Sequence, residues 1–374
     1  MASEGDKRAL FCVPGPGPYL LTHSVGCASR AALEAMQRDF AEPWVNSGGD
    51  AWTHWLNGIE NFRVGLARLL GGAASEYCPQ PNLSAALSCL LGALPAPAAS
   101  RRVWIAAEDS FPSLGFVLHQ ARRLGFELRL ITRDRLPTDL QTWSDALTPD
   151  VCGALVTHVH SNTGYVAPIR QIAQLCASRG VLSVIDVAQS AGILPLDLTE
   201  LGADVVLGSC VKWLCGGPGA GFMWVRSSVM PGLKPIAVGW FSHAEPFEFD
   251  IHSYQPAEDA RRFWGGTPSV APFVTAVASL RIIHDLGVAN LLKHNRRLQQ
   301  AFRSALPERW RDRLPDAPVG GTLCVPLAAQ LPAITERLVQ AGVRFDCRGT
   351  VLRLSFHLYN SVDDAVTTAR VWPA

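Results

Sequence analysis

The chain has 374 residues and a formal charge of +1, from 33 Lys+Arg against 32 Asp+Glu; 48% of the residues are hydrophobic and 17% are charged. That length supports a large core without disulfide staples, and the composition excludes a disordered chain, a coiled coil and a solvated repeat array. Near-neutrality removes any overall field that would gather nucleic acid or an anionic membrane, so small molecules and further copies of the chain are the expected partners.

Met1 to Arg8 is polar and lacks the order of a signal peptide, and no apolar run reaches the ~18 to 20 residues that span a bilayer. Phe11 to Pro18, rich in Pro and Gly, predicts an extended arm. Ala28 to Trp44 has helical spacing, and Trp52 to Leu70 predicts an amphipathic helix that stops at Gly71-Gly72. Arg101 to Ala107, Phe126 to Ile131, Ala154 to Val159, Val181 to Ile185 and Val205 to Gly208 are short apolar runs, with stretches of helical length such as Leu114 to Leu124 and Ile169 to Arg179 between them. Such alternation predicts an α/β domain with a mostly parallel sheet covered by helices on both faces. Beyond about Gly265, a long helical region from Pro272 to Ser304 leads into Gly320 to Pro326, a helix from Leu331 to Gln340, a strand at Val351 to Ser355 and a last helix from Val362. These predict a smaller α+β domain at the C-terminus. The expected division is an arm and helix at 1–45 packing on the small domain, a large domain at 46–275 and a small domain at 276–374.

The ten cysteines are scattered through apolar runs, with no C-x-x-C pair and no zinc spacing. They read as small core hydrophobes in a reducing compartment, so a soluble cytoplasmic protein without a metal site is expected. Only Lys7, Lys212, Lys234 and Lys293 are lysines, which makes a lysine in an apolar setting stand out.

In an open parallel sheet, ligands bind at the carboxyl ends of the strands. Three predicted strand ends carry polar side chains: Thr157 and His158, Asp186, and Ser209 followed by Lys212 with its Gly216 to Gly219 tail. A buried Lys212 would have its amine neutralised by desolvation and made nucleophilic, whereas a surface lysine would simply reach solvent. Asp186 alone reads equally as a helix N-cap. Together they fit what pyridoxal phosphate needs: an acid that keeps its ring nitrogen protonated and a lysine that forms a Schiff base with its aldehyde.

The run Ile185 to Gly192, then Pro195 to Leu198, Leu201 to Asp204, Ser209 to Lys212 and Gly217 to Phe222, resembles the class V aminotransferase family of pyridoxal-phosphate enzymes. The resemblance implies the type I fold of these enzymes, pyridoxal 5'-phosphate as cofactor and an α-amino acid as substrate. It extends over most of the chain, with kynureninase-like features in Tyr19 to Gly26, Trp44, Trp52 and Trp55. By the same resemblance, Phe111 stacks on the pyridine ring, although a Phe there would also serve as core packing. Gln80 to Ser84, with Gln80 and Asn82, forms the phosphate loop at a helix N-terminus, where free N–H groups favour an anion. Gln189, Thr157 and Ser209 are further cofactor contacts, and Trp240 and Thr267 reach the phosphate region across a homodimer interface. Arg353, in Leu352 to Asn360, grips the substrate carboxylate with its planar fork, though an arginine in a strand can also sit on a polar face, and Arg348 and Arg344 lie near enough to be confused with it.

The chain also departs from its relatives. Val211 stands before the lysine where kynureninases have tyrosine, Gln189 replaces their histidine, Leu114 replaces an aspartate, and Pro79 and Pro81 cannot donate N–H bonds to a phosphate. A cysteine desulfurase requires a nucleophilic cysteine on a flexible loop about fifteen residues before the arginine, and Cys347 lies much closer. Transamination and kynureninase-like cleavage at Cβ are the leading expectations. Desulfuration or C–S cleavage, epimerisation and a non-catalytic scaffold follow. Ser24, His23, Trp52, Trp55 and His243 are candidates for the substrate pocket.

Overall fold

The computed structural model describes residues 4–315 and 319–373. Its large sheet has seven strands: β1 (Tyr77–Gln80), β2 (Val103–Ala107), β3 (Glu127–Ile131), β4 (Val151–Thr157), β5 (Leu182–Asp186), β6 (Val205–Ser209) and β7 (Gly221–Val225). They lie in the order β1-β7-β6-β5-β4-β2-β3. The run from β6 to β3 is parallel, and β7 and β1 complete it antiparallel. The mostly parallel sheet is as predicted, but β1 and β7 are additions. The prolines of the expected phosphate loop explain one of them: Pro79 pairs with Phe222 inside β1, an edge strand, where a missing N–H is tolerated.

Strand alternation sorts the core into two layers. Val103, Ile105, Val156, Ile185 and Val206 face the helices Ala51–Leu70, Ile169–Ser178 and Ala271–Leu286. Trp104, Ala106, Leu155, Val184 and Leu207 face Leu83–Ala93 and Pro112–Gln120. Both faces are buried, which is why these strands read as unbroken apolar runs rather than alternating ones.

The long helical region predicted from Pro272 to Ser304 is two helices, Ala271–Leu286 and Val288–Ala305, meeting at 78°. Gly287 makes the break: at φ 79 it takes a conformation that ends a helix and that glycine adopts without a Cβ penalty. No single helix among the described residues is long and apolar enough to cross a membrane.

The second sheet contains β8 (Thr322–Pro326), β9 (Asp346–Arg348) and β10 (Val351–Ser355), antiparallel in the order β8-β10-β9. It shares a core with Leu298, Phe302, Leu338 and Trp372. β9 has only three residues and no apolar alternation, so the sequence pattern does not reveal it. The N-terminal segment runs along this sheet, with Leu20 N–H donating to Arg344 O at 2.8 Å and Ser355 N–H to Leu20 O at 3.0 Å.

Asn295 ties Val288–Ala305 to the sheet. It is fully buried, and its Nδ2 donates to Gly321 O at 2.9 Å and Phe356 O at 2.7 Å, just beyond the ends of β8 and β10. Asn295→Leu leaves two buried carbonyls without these donors, so chemical denaturation is expected to show a loss of about 2 kcal/mol.

Candidate active site

Thr157, Asp186 and Ser209 end three adjacent parallel strands, β4, β5 and β6, and all three line one cavity of about 520 Å³. Lys212 closes the turn after β6 and lines the same cavity. The turn is braced by the N-terminal segment: Gly26 N–H donates to Val211 O at 2.8 Å, and a Cβ at Gly26 would stand 2.1 Å from Lys212 O. Only glycine permits that approach.

Asp186 is buried, and its Oδ1 accepts from Ala188 N–H at 2.8 Å. No hydrogen bond from a described residue reaches its other oxygen. Burial raises this carboxyl, against the Ala188 bond and the charges of Lys212 and His160, which lower it. A buried carboxylate with one donor calls for a cationic N–H partner. Burial pushes the Lys212 amine down to about 8; Asp186 pulls upward, and Arg353 and Arg348 deepen the depression. The neutral amine is thus accessible near physiological pH.

Other expected residues divide between the cavity and elsewhere. Phe111 is 40% exposed, which rules out plain core packing, and its ring centre lies 5.6 Å from Lys212 Nζ. It lines the cavity together with the small Ala188, a pairing suited to a flat aromatic ring. Asn82 caps Leu83–Ala93, its side chain accepting from Ala85 N–H at 2.9 Å. First-turn N–H groups have no partner within a helix, and Leu83 and Ser84 both line the cavity, so an anion fits there beside the hydroxyls of Thr157 and Ser209. Gln189 lines the cavity while its Nε2 donates to His23 O at 2.9 Å. A ring with a protonatable nitrogen, an aldehyde and a phosphate therefore finds complementary groups here.

Gln80 is the correction to the expected phosphate loop. It ends β1 with its side chain buried, donating to Phe263 O at 3.1 Å, and does not line the cavity; the anion end begins at Asn82. Trp240 and Thr267, joined by a 3.3 Å hydrogen bond, also stand outside this cavity. Trp240 belongs to an aromatic ridge with Phe247, Phe249 and Trp52. Trp55 packs on Trp52 and Phe40. His243 uses both ring nitrogens on the backbone of Glu245 and Ser253. Ser24 and His23 do not line the cavity either.

Arg353 reaches across from the small sheet to donate to Ser161 O at 3.2 Å. Sequence reasoning missed its partner. Asp346, opposite Arg353 in the β9–β10 register, takes Nε–H at 2.8 Å and the Nη2 hydrogen bond as well, making a bidentate pair. His23 Nε2 also lies 2.9 Å from Asp346 Oδ1, while its Nδ1 lies 2.8 Å from Ser355 Oγ. Burial alone would raise the Asp346 carboxyl, but hydrogen bonds from His23 and Arg353 outweigh it and hold it down at about 2. Arg348, an arginine the sequence already placed near Arg353, donates to Ser161 Oγ at 2.6 Å and Asn162 Oδ1 at 3.0 Å; Ser161 itself was not named for the site, although its loop, Ser161 to Gly164, follows Thr157.

The chain matches the family model for aminotransferase class V over residues 82–318. It is 32% identical to a kynureninase of Deinococcus radiodurans over 305 residues, 79% of this chain and 72% of that one. It is 30% identical to an uncharacterized aminotransferase, YcbU, of Bacillus subtilis, covering 74% of each chain. Among solved structures it resembles a cysteine desulfurase from Thermococcus onnurineus NA1 with a TM-score of 0.86 at 20% identity, covering 99% of this chain and 97% of that one.

The Asp346 carboxyl titrates lower in the folded chain than its ordinary value of about 4. Its pairing therefore stabilises fully above pH ~4, and that stabilisation is lost as pH falls toward 2. Asp346→Asn is expected to be less stable than the parent at pH 6, and denaturant titrations should show the gap closing between pH ~5 and pH ~2.

Proposed function

The chain belongs to the class V aminotransferase family and is a pyridoxal-5'-phosphate-dependent enzyme; from that premise we propose that it transaminates an α-amino acid, with Lys212 as the sole proton carrier at Cα. When bound, pyridoxal phosphate supplies an aldehyde that bonds to amines and a ring that takes up electrons when a bond at Cα breaks. Lys212 would hold the aldehyde until a substrate amine displaces it, Asp186 would hold a proton on the ring nitrogen, and Phe111 and Ala188 would pack on the ring. Asn82, Ser84, Thr157 and Ser209 would receive the phosphate, and the arginines that converge on Ser161 would face the substrate carboxylate.

One observation carries the choice of reaction. Among the described residues lining the cavity, only Lys212 and Asp186 have acidic or basic side chains, and Asp186 would be committed to the ring nitrogen. Moving a proton away from Cα and returning it elsewhere needs one base, which the freed Lys212 amine supplies. Hydrolytic cleavage at Cβ also needs a group to activate water, and Val211 occupies the position beside the lysine where kynureninases carry tyrosine. A kynureninase-like cleavage is the second reading, favoured by the 32% identical relative. Desulfuration has less support. Cys347 is exposed and alternates away from Asp346 and Arg348 on β9, and its thiol is pushed up, by partial desolvation and the Asp346 charge, while burial holds the Cys324 thiol at about 12.

We further propose that two copies pair through the ridge around Trp240, where Phe249 is 74% and Ile251 90% exposed. That pairing would bring the partner's Trp240 and Thr267 to the phosphate, as the family resemblance implies.

The test of the reaction is a panel of amino acids mixed with the cofactor-loaded protein in the absence of an amino acceptor. Transamination gives one oxo acid per site and leaves the cofactor in its amine form. Anthranilate and alanine from kynurenine, without cofactor conversion, would contradict it in favour of cleavage. Lys212→Ala is expected to abolish both reactions while keeping the melting temperature.

A further inference from the structure

Arg353, which would meet the substrate carboxylate, is held from behind by side chains that lead to the N-terminal segment. A guanidinium has five N–H donors in a fixed plane. In Arg353 the Nε donor and one on Nη2 go to the two oxygens of Asp346, and one on Nη1 goes to Ser161 O at 3.2 Å. One N–H on Nη1 and one on Nη2 are left, at the end of the fork. That end can still take a carboxylate through two hydrogen bonds, while the side of the fork is closed by a carboxylate of the chain's own.

Asp346 is itself fixed. His23 Nε2 lies 2.9 Å from Asp346 Oδ1 and its Nδ1 lies 2.8 Å from Ser355 Oγ, with the ring fully buried. A carboxylate only accepts, so the proton of this contact sits on Nε2. Burial lowers the proton affinity of the ring, as do the charges of Arg353 and Lys212, against the hydrogen bond and charge of Asp346, which raise it. A ring with a single proton, on Nε2, therefore fits near neutrality, with Nδ1 accepting from Ser355 O–H. Ser355 Oγ also lies 3.1 Å from Leu20 O, but that carbonyl already accepts Ser355 N–H at 3.0 Å, which leaves the hydroxyl proton for His23. Ser355 and Arg353 are two apart on β10 and share a face, so Ser355, His23, Asp346 and Arg353 form a closed circuit on that face.

We propose that Asp346 and His23 are positioning residues for substrate binding: they hold Arg353 by the side of its fork, so that the Nη1–Nη2 end is what the substrate carboxylate meets. This rests on the amino-acid reading given above. Both residues act through Arg353 rather than on the substrate. Without Asp346 the guanidinium is free to turn about its long side chain, and a misplacement of about 1 Å in a group that orients a reactant costs up to about a hundredfold in rate.

The test uses the cofactor-loaded protein and two probes of its aldehyde, aminooxyacetate and O-methylhydroxylamine, which differ in a carboxylate. The readout is the ratio of their second-order rates of consuming the visible absorbance, which cancels general effects of a substitution on the fold. Asp346→Asn is expected to lower the preference for aminooxyacetate by about tenfold or more. His23→Leu is expected to lower it by about threefold or more, and His23→Gln, whose amide N–H replaces Nε2–H, to stay within about twofold of the parent. A smaller change in Asp346→Asn overturns the proposal, as does a ratio in His23→Leu no lower than that of His23→Gln. Arg353→Gln separates this inference from the reading beneath it. If Arg353→Gln also leaves the ratio unchanged, the amino-acid reading fails; if the ratio falls in Arg353→Gln but not in Asp346→Asn, the positioning role alone is overturned. A second readout needs no reaction: in nitrogen-15 spectra of histidine-labelled protein at pH 7, the signal that vanishes in His23→Gln should carry its proton on Nε2, and a proton on Nδ1 alone overturns the assignment.

Discussion

A lysine amine and an aspartate carboxylate, both removed from water at the ends of neighbouring strands, set the terms for the rest of this molecule. Burial acts on them in opposite directions, lowering Lys212 to about 8 and raising Asp186, and each is held by the charge of the other. Such a pair persists only if the surrounding backbone is rigid. Rigidity comes from two sides. The parallel strands β4, β5 and β6 bury both faces, and the N-terminal segment presses Gly26 against the lysine turn so closely that no side chain fits between them.

The small sheet contributes a second buried charge system facing the first. Asp346, Arg353 and His23 join β9, β10 and the N-terminal segment, and Arg353 and Arg348 extend from there to Ser161 in the loop that follows β4. The N-terminal segment thus touches both halves of the site: Leu20 and His23 on the small sheet, Gly26 on the lysine turn. The same seven residues, Leu20 to Gly26, connect the lysine turn with the arginine cluster.

Much of this was legible in the sequence, and for identifiable reasons. Strands buried on both faces announce themselves as apolar runs, and Asp186, Ser209 and Lys212 follow such runs directly, so both the sheet and its chemical end could be read. The edge strand β1 was hidden because Pro79 and Pro81 resemble a loop, and Gln80 was placed in the site with them although its amide is taken up by Phe263 O. The bend at Gly287 was hidden because both flanking segments have helical spacing. Asp346 was invisible because an ion pair between strands depends on register, and the three residues of β9 carry no pattern from which register can be inferred. Trp240 and Thr267 were identified by resemblance alone; within one chain Trp240 is a half-buried member of an aromatic ridge, Thr267 is exposed beside it, and both stand apart from the cavity.

The proposed chemistry requires Lys212 to be the amine that bonds to pyridoxal phosphate, and the scarcity of lysine makes this directly measurable. Borohydride reduction of the cofactor-loaded protein, followed by peptide mass spectrometry, should place one phosphopyridoxyl group on the peptide containing Lys212. Label on Lys7, Lys234 or Lys293 instead, or no label on a protein that binds the cofactor, would contradict it.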